Sequence, residues 1–96
     1  MAKAYWVVCY REVKDQAKLA AYAKLALPAL EAHGGKAIVR GIPAKTFEAG
    51  QAERTVVIEF DSLEKAIAAH DTPEYKAALS ALGDGAVRDM RVIEGL

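Results

Sequence analysis

From Arg54 to Leu79 the chain reads RTVVIEFDSLEKAIAAHDTPEYKAAL, and this stretch decides the fold. Five β-branched or aromatic residues fall within positions 55 to 60. Asp61 and Ser62 follow, with side-chain oxygens suited to the free amides of a helix start. A strand therefore runs directly into a helix. After His70 the signal repeats in Asp71-Thr72-Pro73-Glu74. Thr72 serves as N-cap, Pro73 takes the first helical position where its missing amide costs nothing, and Glu74 is favoured by the helix dipole. The spacing predicts helices over roughly 62 to 70 and 73 to 82, separated by a break. No catalytic signature lies inside the segment.

Working outward, residues 4 to 10, AYWVVCY, are rich in β-formers and read as a first strand. Asp15 is placed to cap a helix from Gln16 to His33, in which Leu19, Tyr22, Ala26 and Leu30 recur at helical spacing. Gly34-Gly35 ends it. Pro28, inside that helix, removes a hydrogen bond at a cost of about 3 kcal/mol, so a kink is expected there. Residues 36 to 41, KAIVRG, make a second strand. A loop of Gly, Pro and polar residues runs on to Glu53, with Lys45 to Ala49 expected to extend the hairpin. The third strand is Arg54 to Phe60, and after Gly83 and Gly85 residues 88 to 94, RDMRVIE, supply the fourth. With right-handed crossovers the order βαββαβ puts both helical layers on one face of a four-stranded antiparallel sheet. This is the ferredoxin-like α+β arrangement, in one domain spanning residues 1–96.

Ninety-six residues suffice for a single core, and 13 Lys and Arg balance 13 Asp and Glu. The basic residues are scattered, so neither nucleic acid nor an anionic membrane is an expected partner. TVVIEF also lacks the exposed aromatics and cations with which RNA-binding sheets stack bases. The apolar run Tyr5 to Tyr10 is too short to span a bilayer. Cys9 stands alone, cannot form an internal disulfide, and reads as a buried structural thiol in a cytoplasmic protein. In the first strand both alternating sets are apolar, Tyr5, Val7, Cys9 and Trp6, Val8, Tyr10. A water-facing side should be polar, so a second copy of the chain is expected to cover it, sheet against sheet.

The pairing of HGGKAIVRG with ERTVVIEFDSLEKAIAAHDTPEYKAAL and a closing RVIEG resembles the family called domain of unknown function 1330, within the dimeric α/β-barrel superfamily. The resemblance implies a homodimer whose sheets face each other, with a pocket in each subunit between sheet, helices and the long hairpin. Other superfamily members include cofactor-free monooxygenases, muconolactone isomerases, haem-degrading enzymes and effector-binding domains, so the fold does not decide the function. Many similar chains carry an aromatic pair where this one has Ala69 and His70. They often have a Gly where Ile42 stands, and an Arg at the end of the last helix, where here Gly83 follows Leu82. The chain contains no Asn, so mechanisms that use an Asn amide to activate dioxygen or orient a haem-bound species do not carry over. No cofactor is expected.

Val56, Ile58 and Phe60 form one apolar set facing the helices, which turns Thr55, Val57 and Glu59 toward the second subunit. A carboxylate there needs a partner, and Arg40 on the neighbouring strand is the natural one. Two readings follow. Either the pair is a structural ion pair, or Arg40 binds an anionic or carbonyl group while Glu59 acts as acid or base. His70, beside Asp71, is a second proton-transfer candidate; a helix-end dipole contact explains it as well. Tyr75 either packs inward or meets a ligand with its hydroxyl, and Tyr5, Trp6 and Tyr10 either line a pocket for a flat organic molecule or fill the core or the dimer interface. Glu48 and Arg54 bracket the hairpin tip, as a gate or as a solvated pair. His33 and His70 have the spacing of no metal site. Binding of a small organic molecule by Arg40, Tyr75, Trp6 and Arg54 is the first reading. The alternative is a cofactor-free enzyme, monooxygenase- or isomerase-like, acting on a small carbonyl or aromatic compound through His70 and Glu59. What separates them is whether His70, Arg40 and Glu59 meet on one cavity.

Overall fold

Alternating β-formers and capped helical stretches fold as read, and the computed structural model describes residues 2–96. Four strands, β1 (Ala4–Val13), β2 (Lys36–Gly41), β3 (Thr55–Phe60) and β4 (Ala86–Glu94), alternate with three helices, α1 (Gln16–Ala32), α2 (Leu63–His70) and α3 (Pro73–Leu82). The strands pair antiparallel in the order β2-β3-β1-β4. That order and the helices on one face are the ferredoxin-like fold. Local chemistry sets the boundaries. Asp15 accepts hydrogen bonds from the amides of Ala17 and Lys18, Ser62 from Lys65 and Thr72 from Tyr75. Each satisfies amides that a helix start leaves free. Helix α1 runs continuously through Pro28 and ends at His33 and Gly34, the latter at φ 85°.

The core lies between the sheet and the helices. Ala4, Trp6, Val8 and Tyr10 of β1 and Ile58 and Phe60 of β3 are buried there. Against them pack Leu19, Tyr22, Ala26, Ala29 and Leu30 of α1, with Ala66, Ala69, Tyr75, Ala78 and Leu82 from α2 and α3. The opposite face carries Tyr5, Val7, Val39, Val57 and Ile93, partly or largely exposed in the single chain. Cys9 lies on that face and is exposed in the single chain, so the expectation of a buried thiol is corrected. The reason is the period of two: Cys9 shares the odd set with Tyr5 and Val7, and the helices cover only the even one.

Two further expectations change. Lys45 to Ala49 form no strand; the loop turns at Phe47–Gly50, where the Gly50 amide donates to the Phe47 carbonyl and Glu48 adopts φ 52°. A left-handed residue interrupts an extended run. Arg40 and Glu59 do not pair. Ala37 stands opposite Ile58, yet Val39 stands opposite Val57, so Ile38 is an extra residue in β2. Such a bulge advances the register by one and turns every later side chain to the other face. Arg40 is thus opposite Val56 and shares its helix-facing side, while Glu59 stays on the outer side, 3.5 Å from Lys3. A second bulge, at Arg11, similarly brings Val13 and Ala86 against the core. No helix among the described residues is long and apolar enough to cross a membrane.

Candidate functional site

Small residues line a gap in this core. Ala23 and Ala26 of α1 face Ala37 of β2, and short side chains on both sides leave a gap between helix and sheet. The resulting cavity measures about 60 Å³ and is lined by Trp6, Val8, Leu27, Leu30, Val56 and Ile58 among its apolar residues. Its polar residues are three arginines, Arg40, Arg54 and Arg88, with Tyr10 and Tyr22.

Geometry puts the three cations at one end. The Tyr10 amide donates to the Arg54 carbonyl at 2.9 Å, Tyr10 stands opposite Arg88 across the β1–β4 ladder, and Arg40 stands opposite Val56. All lie where β1 and β2 finish and β3 and β4 begin. Trp6 and Ile58 lie along the strands from them, at the other end, so the cavity has a cationic and an apolar pole. The Arg54 and Arg88 guanidinia sit over the Tyr10 ring, 5.8 and 5.7 Å from its centre, and Arg88 also lies 4.8 Å from the centre of Tyr22. These ring faces favour a cation. No Asp or Glu lines the cavity, and among the described residues Arg40, Arg54 and Arg88 enter no ion pair. Arg54 Nε is buried with no hydrogen-bond partner among the described residues.

A chain of phenols backs this end. An Arg88 N–H donates to the Tyr22 hydroxyl at 3.0 Å, and the Tyr22 and Tyr75 hydroxyls are 2.7 Å apart. Burial, then the proximity of Tyr75, pushes the Tyr22 phenol far above its ordinary range, with Arg88 only partly opposing. Tyr22 is therefore a neutral hydroxyl at physiological pH. Burial disfavours the Arg88 charge, but the phenolic oxygens beside it outweigh that cost.

The six residues singled out in the sequence separate here. Arg40, Arg54 and Trp6 line the cavity. Trp6 is also structural, its indole N–H donating to the Ala66 carbonyl at 2.7 Å. Tyr75 is fully buried and does not line the cavity; its hydroxyl meets that of Tyr22 and its ring packs edge-on against Trp6, 5.0 Å between centres. His70 lies behind these rings, 6.1 Å from Trp6 and 5.4 Å from Tyr75 between centres, with Nδ1 3.2 Å from Asp71. It does not line the cavity. Glu59 is on the opposite face of the sheet. One chain does not assemble His70, Arg40 and Glu59 around a common space. Arg54 turns to the cavity and forms no ion pair with Glu48. Tyr10, an aromatic candidate of the first strand, lines the cavity as well, whereas Arg88 and Tyr22 are site residues that sequence reasoning missed. A period-two count along Arg88, Met90 and Val92 places Arg88 on an otherwise apolar set, the available clue to an inward arginine. The histidines are apart, His33 against Glu74 at 3.2 Å, and no three His, Cys, Asp or Glu converge among the described residues.

Solved structures share this architecture at low identity. A protein of unknown function from Rhodopseudomonas palustris superposes with a TM-score of 0.76 at 16% identity, over 99% of this chain and 83% of that one. A dimeric ferredoxin-like protein of unknown function from Thermobifida fusca gives 0.65 at 20% identity, over 98% and 92%. A Caulobacter crescentus protein, whose name proposes an antibiotic biosynthesis monooxygenase, gives 0.63 at 17%, over 99% and 91%. No protein with a curated description matches the chain. The family described as Domain of unknown function (DUF1330) matches residues 3–96, nearly the whole length, and the chain belongs to that family.

Proposed function

We propose that this protein is a homodimeric binding module that holds a small organic molecule in the cavity between α1 and the sheet. The observation that carries the reading is a gap in an otherwise packed core, apolar at one pole and edged by unpaired arginines at the other. Ligand sites combine apolar walls with a few convergent polar groups in this way. A space of about 60 Å³ seats the head of a compound, and exposed Arg40 marks the side where the remainder reaches solvent. The enzyme reading needs an acid or base at the same space; His70 and Glu59 lie elsewhere in the chain, so binding is favoured over catalysis.

Dimerisation through the outer sheet face is part of this reading. Tyr5, Val7, Val39, Val57 and Ile93 form its apolar centre, and the Thermobifida fusca relative in fold is named as dimeric. Two sheets meeting there would form the barrel that the family resemblance implies. A metabolite screen read by thermal shift tests the binding site. Ala26→Leu adds bulk to the cavity without changing charge, and true ligands are expected to lose their shift in that variant. Hits that keep an undiminished shift bind elsewhere, and the reading fails.

A further inference from the structure

We infer that the cavity selects a small organic anion, a monocarboxylate with a short apolar tail, clamped by Arg54 and Arg88 with the Tyr22 hydroxyl as a third donor. The inference rests on the cavity being a ligand site and adds the chemistry of what enters it.

Charge is the first ground. Three guanidinia line one end of a cavity whose lining contains no carboxylate, although the charges of the whole chain balance. Arg54 and Arg88 share the face region of a single ring, Tyr10, so like charges are gathered without a counterion. Half-buried cations held together in this way are stabilised by an anion between them. Donor inventory is the second ground. Arg54 Nε is buried without a partner among the described residues, and only one N–H of Arg88 is spent, on Tyr22. Fork-shaped guanidinia with free N–H groups match a planar carboxylate.

The phenol pair supplies the third ground. Tyr75 is fully buried and its hydroxyl is bonded to that of Tyr22. Arg88 can only donate, so it occupies one lone pair of the Tyr22 oxygen. If Tyr75 donates into the other, the Tyr22 proton has no acceptor in the pair and is free for a ligand oxygen in the cavity that Tyr22 lines. An anion there selects that direction; a neutral donor group would oppose it. The apolar pole formed by Trp6, Ile58, Leu30 and Ala37 takes the tail. Trp6 and Tyr10 are four steps apart along the strand, roughly 13 Å at the usual rise, and the narrow volume between admits a short chain. The same apolar wall disfavours inorganic phosphate, which would have no counterpart to its remaining oxygens.

Titration calorimetry on the intact protein, with linear acids from acetate to hexanoate and benzoate, each against its primary amide, tests this. Amides keep size and shape but lose the charge. At least one acid is expected to bind at least about tenfold more tightly than its amide, and Arg54→Gln to weaken it by about tenfold or more. Tyr22→Phe should weaken it by a smaller factor, and Lys65→Gln, remote from the cavity, should leave it unchanged. Arg54 has no ion pair to lose, so its variant reads binding even if Arg88→Gln does not fold. If amides bind as tightly as acids and lose binding in Ala26→Leu, the anion inference is overturned and the pocket reading stands. If inorganic phosphate binds as tightly as the best acid, the carboxylate assignment is overturned. If neither acids nor amides bind, the inference is overturned, and the pocket reading is decided by the metabolite screen.

Discussion

At the scale of single residues, Tyr22 shows how position outranks identity. As one of several apolar positions on an amphipathic helix it reads as core, and it is buried. Yet its hydroxyl joins Arg88 to Tyr75, and burial holds its proton far beyond the usual phenol range. The sign of the pH effect follows. A proton held more tightly in the folded than in the unfolded chain contributes stability that is fully present below the unfolded tyrosine pKa of about 10 and is lost as pH rises above it. Urea unfolding between pH 9 and 11 should therefore show stability falling less steeply in Tyr22→Phe than in the parent. The difference in slope approaches about 1.4 kcal/mol per pH unit at most. Equal slopes would show that the phenol is not held in this way. Lysines that titrate in the same range are common to both proteins and cancel in the comparison.

At the scale of elements, the bulge at Ile38 decides the site. In a regular strand an inward Ala37 would turn Arg40 outward, to the side that Glu59 occupies. One extra residue reverses the later half of the strand, turning Arg40 toward the cavity and Val39 toward the outer face. Removal of Ile38 should restore the regular ladder and carry Arg40 back to the outer side. The expected outcome is a folded protein, by circular dichroism, whose ligand-induced thermal shift is reduced, an effect that Arg40→Ala should reproduce. A deletion variant that responds like the parent would mean that the bulge does not position the arginine. Helix signals behaved differently. Asp15, Ser62 and Thr72 were readable as caps because a cap is a local contract between a side chain and amides two or three residues on. Bulges answer to the neighbouring strand, which lies far away in sequence.

At the scale of the whole molecule, the outer sheet face governs assembly. Val7, Val57 and Val39 stand in one row across β1, β3 and β2. Ion pairs border the face, with Lys3 near Glu59 and Asp61 at one end and Asp89 near Arg11 and Arg91 at the other. An apolar centre with a charged rim is the usual anatomy of an interface. Sedimentation equilibrium at micromolar concentration should give about twice the 10.3 kDa chain mass. Val57→Glu, which sets two carboxylates near the centre of a symmetric contact, should give the single-chain mass with the helical spectrum retained. A parent that sediments as one chain would remove the dimer from the proposal.

What the sequence determined by itself was local or periodic: the element order, the capped helix starts, the helix-facing set of β3, and the two apolar faces of β1. Those properties reside in neighbouring residues, or in spacings of two and between three and four. The tertiary structure decided which polar groups meet. It parted Arg40 from Glu59 through one bulged residue, left His70 behind the Trp6 and Tyr75 rings, and exposed Cys9 on the outer face. It gathered Arg40, Arg54 and Arg88 from three strand ends around a gap left by alanines. A binding site is a coincidence in space among distant parts of the chain, and its register is set by pairing that no single stretch of sequence contains.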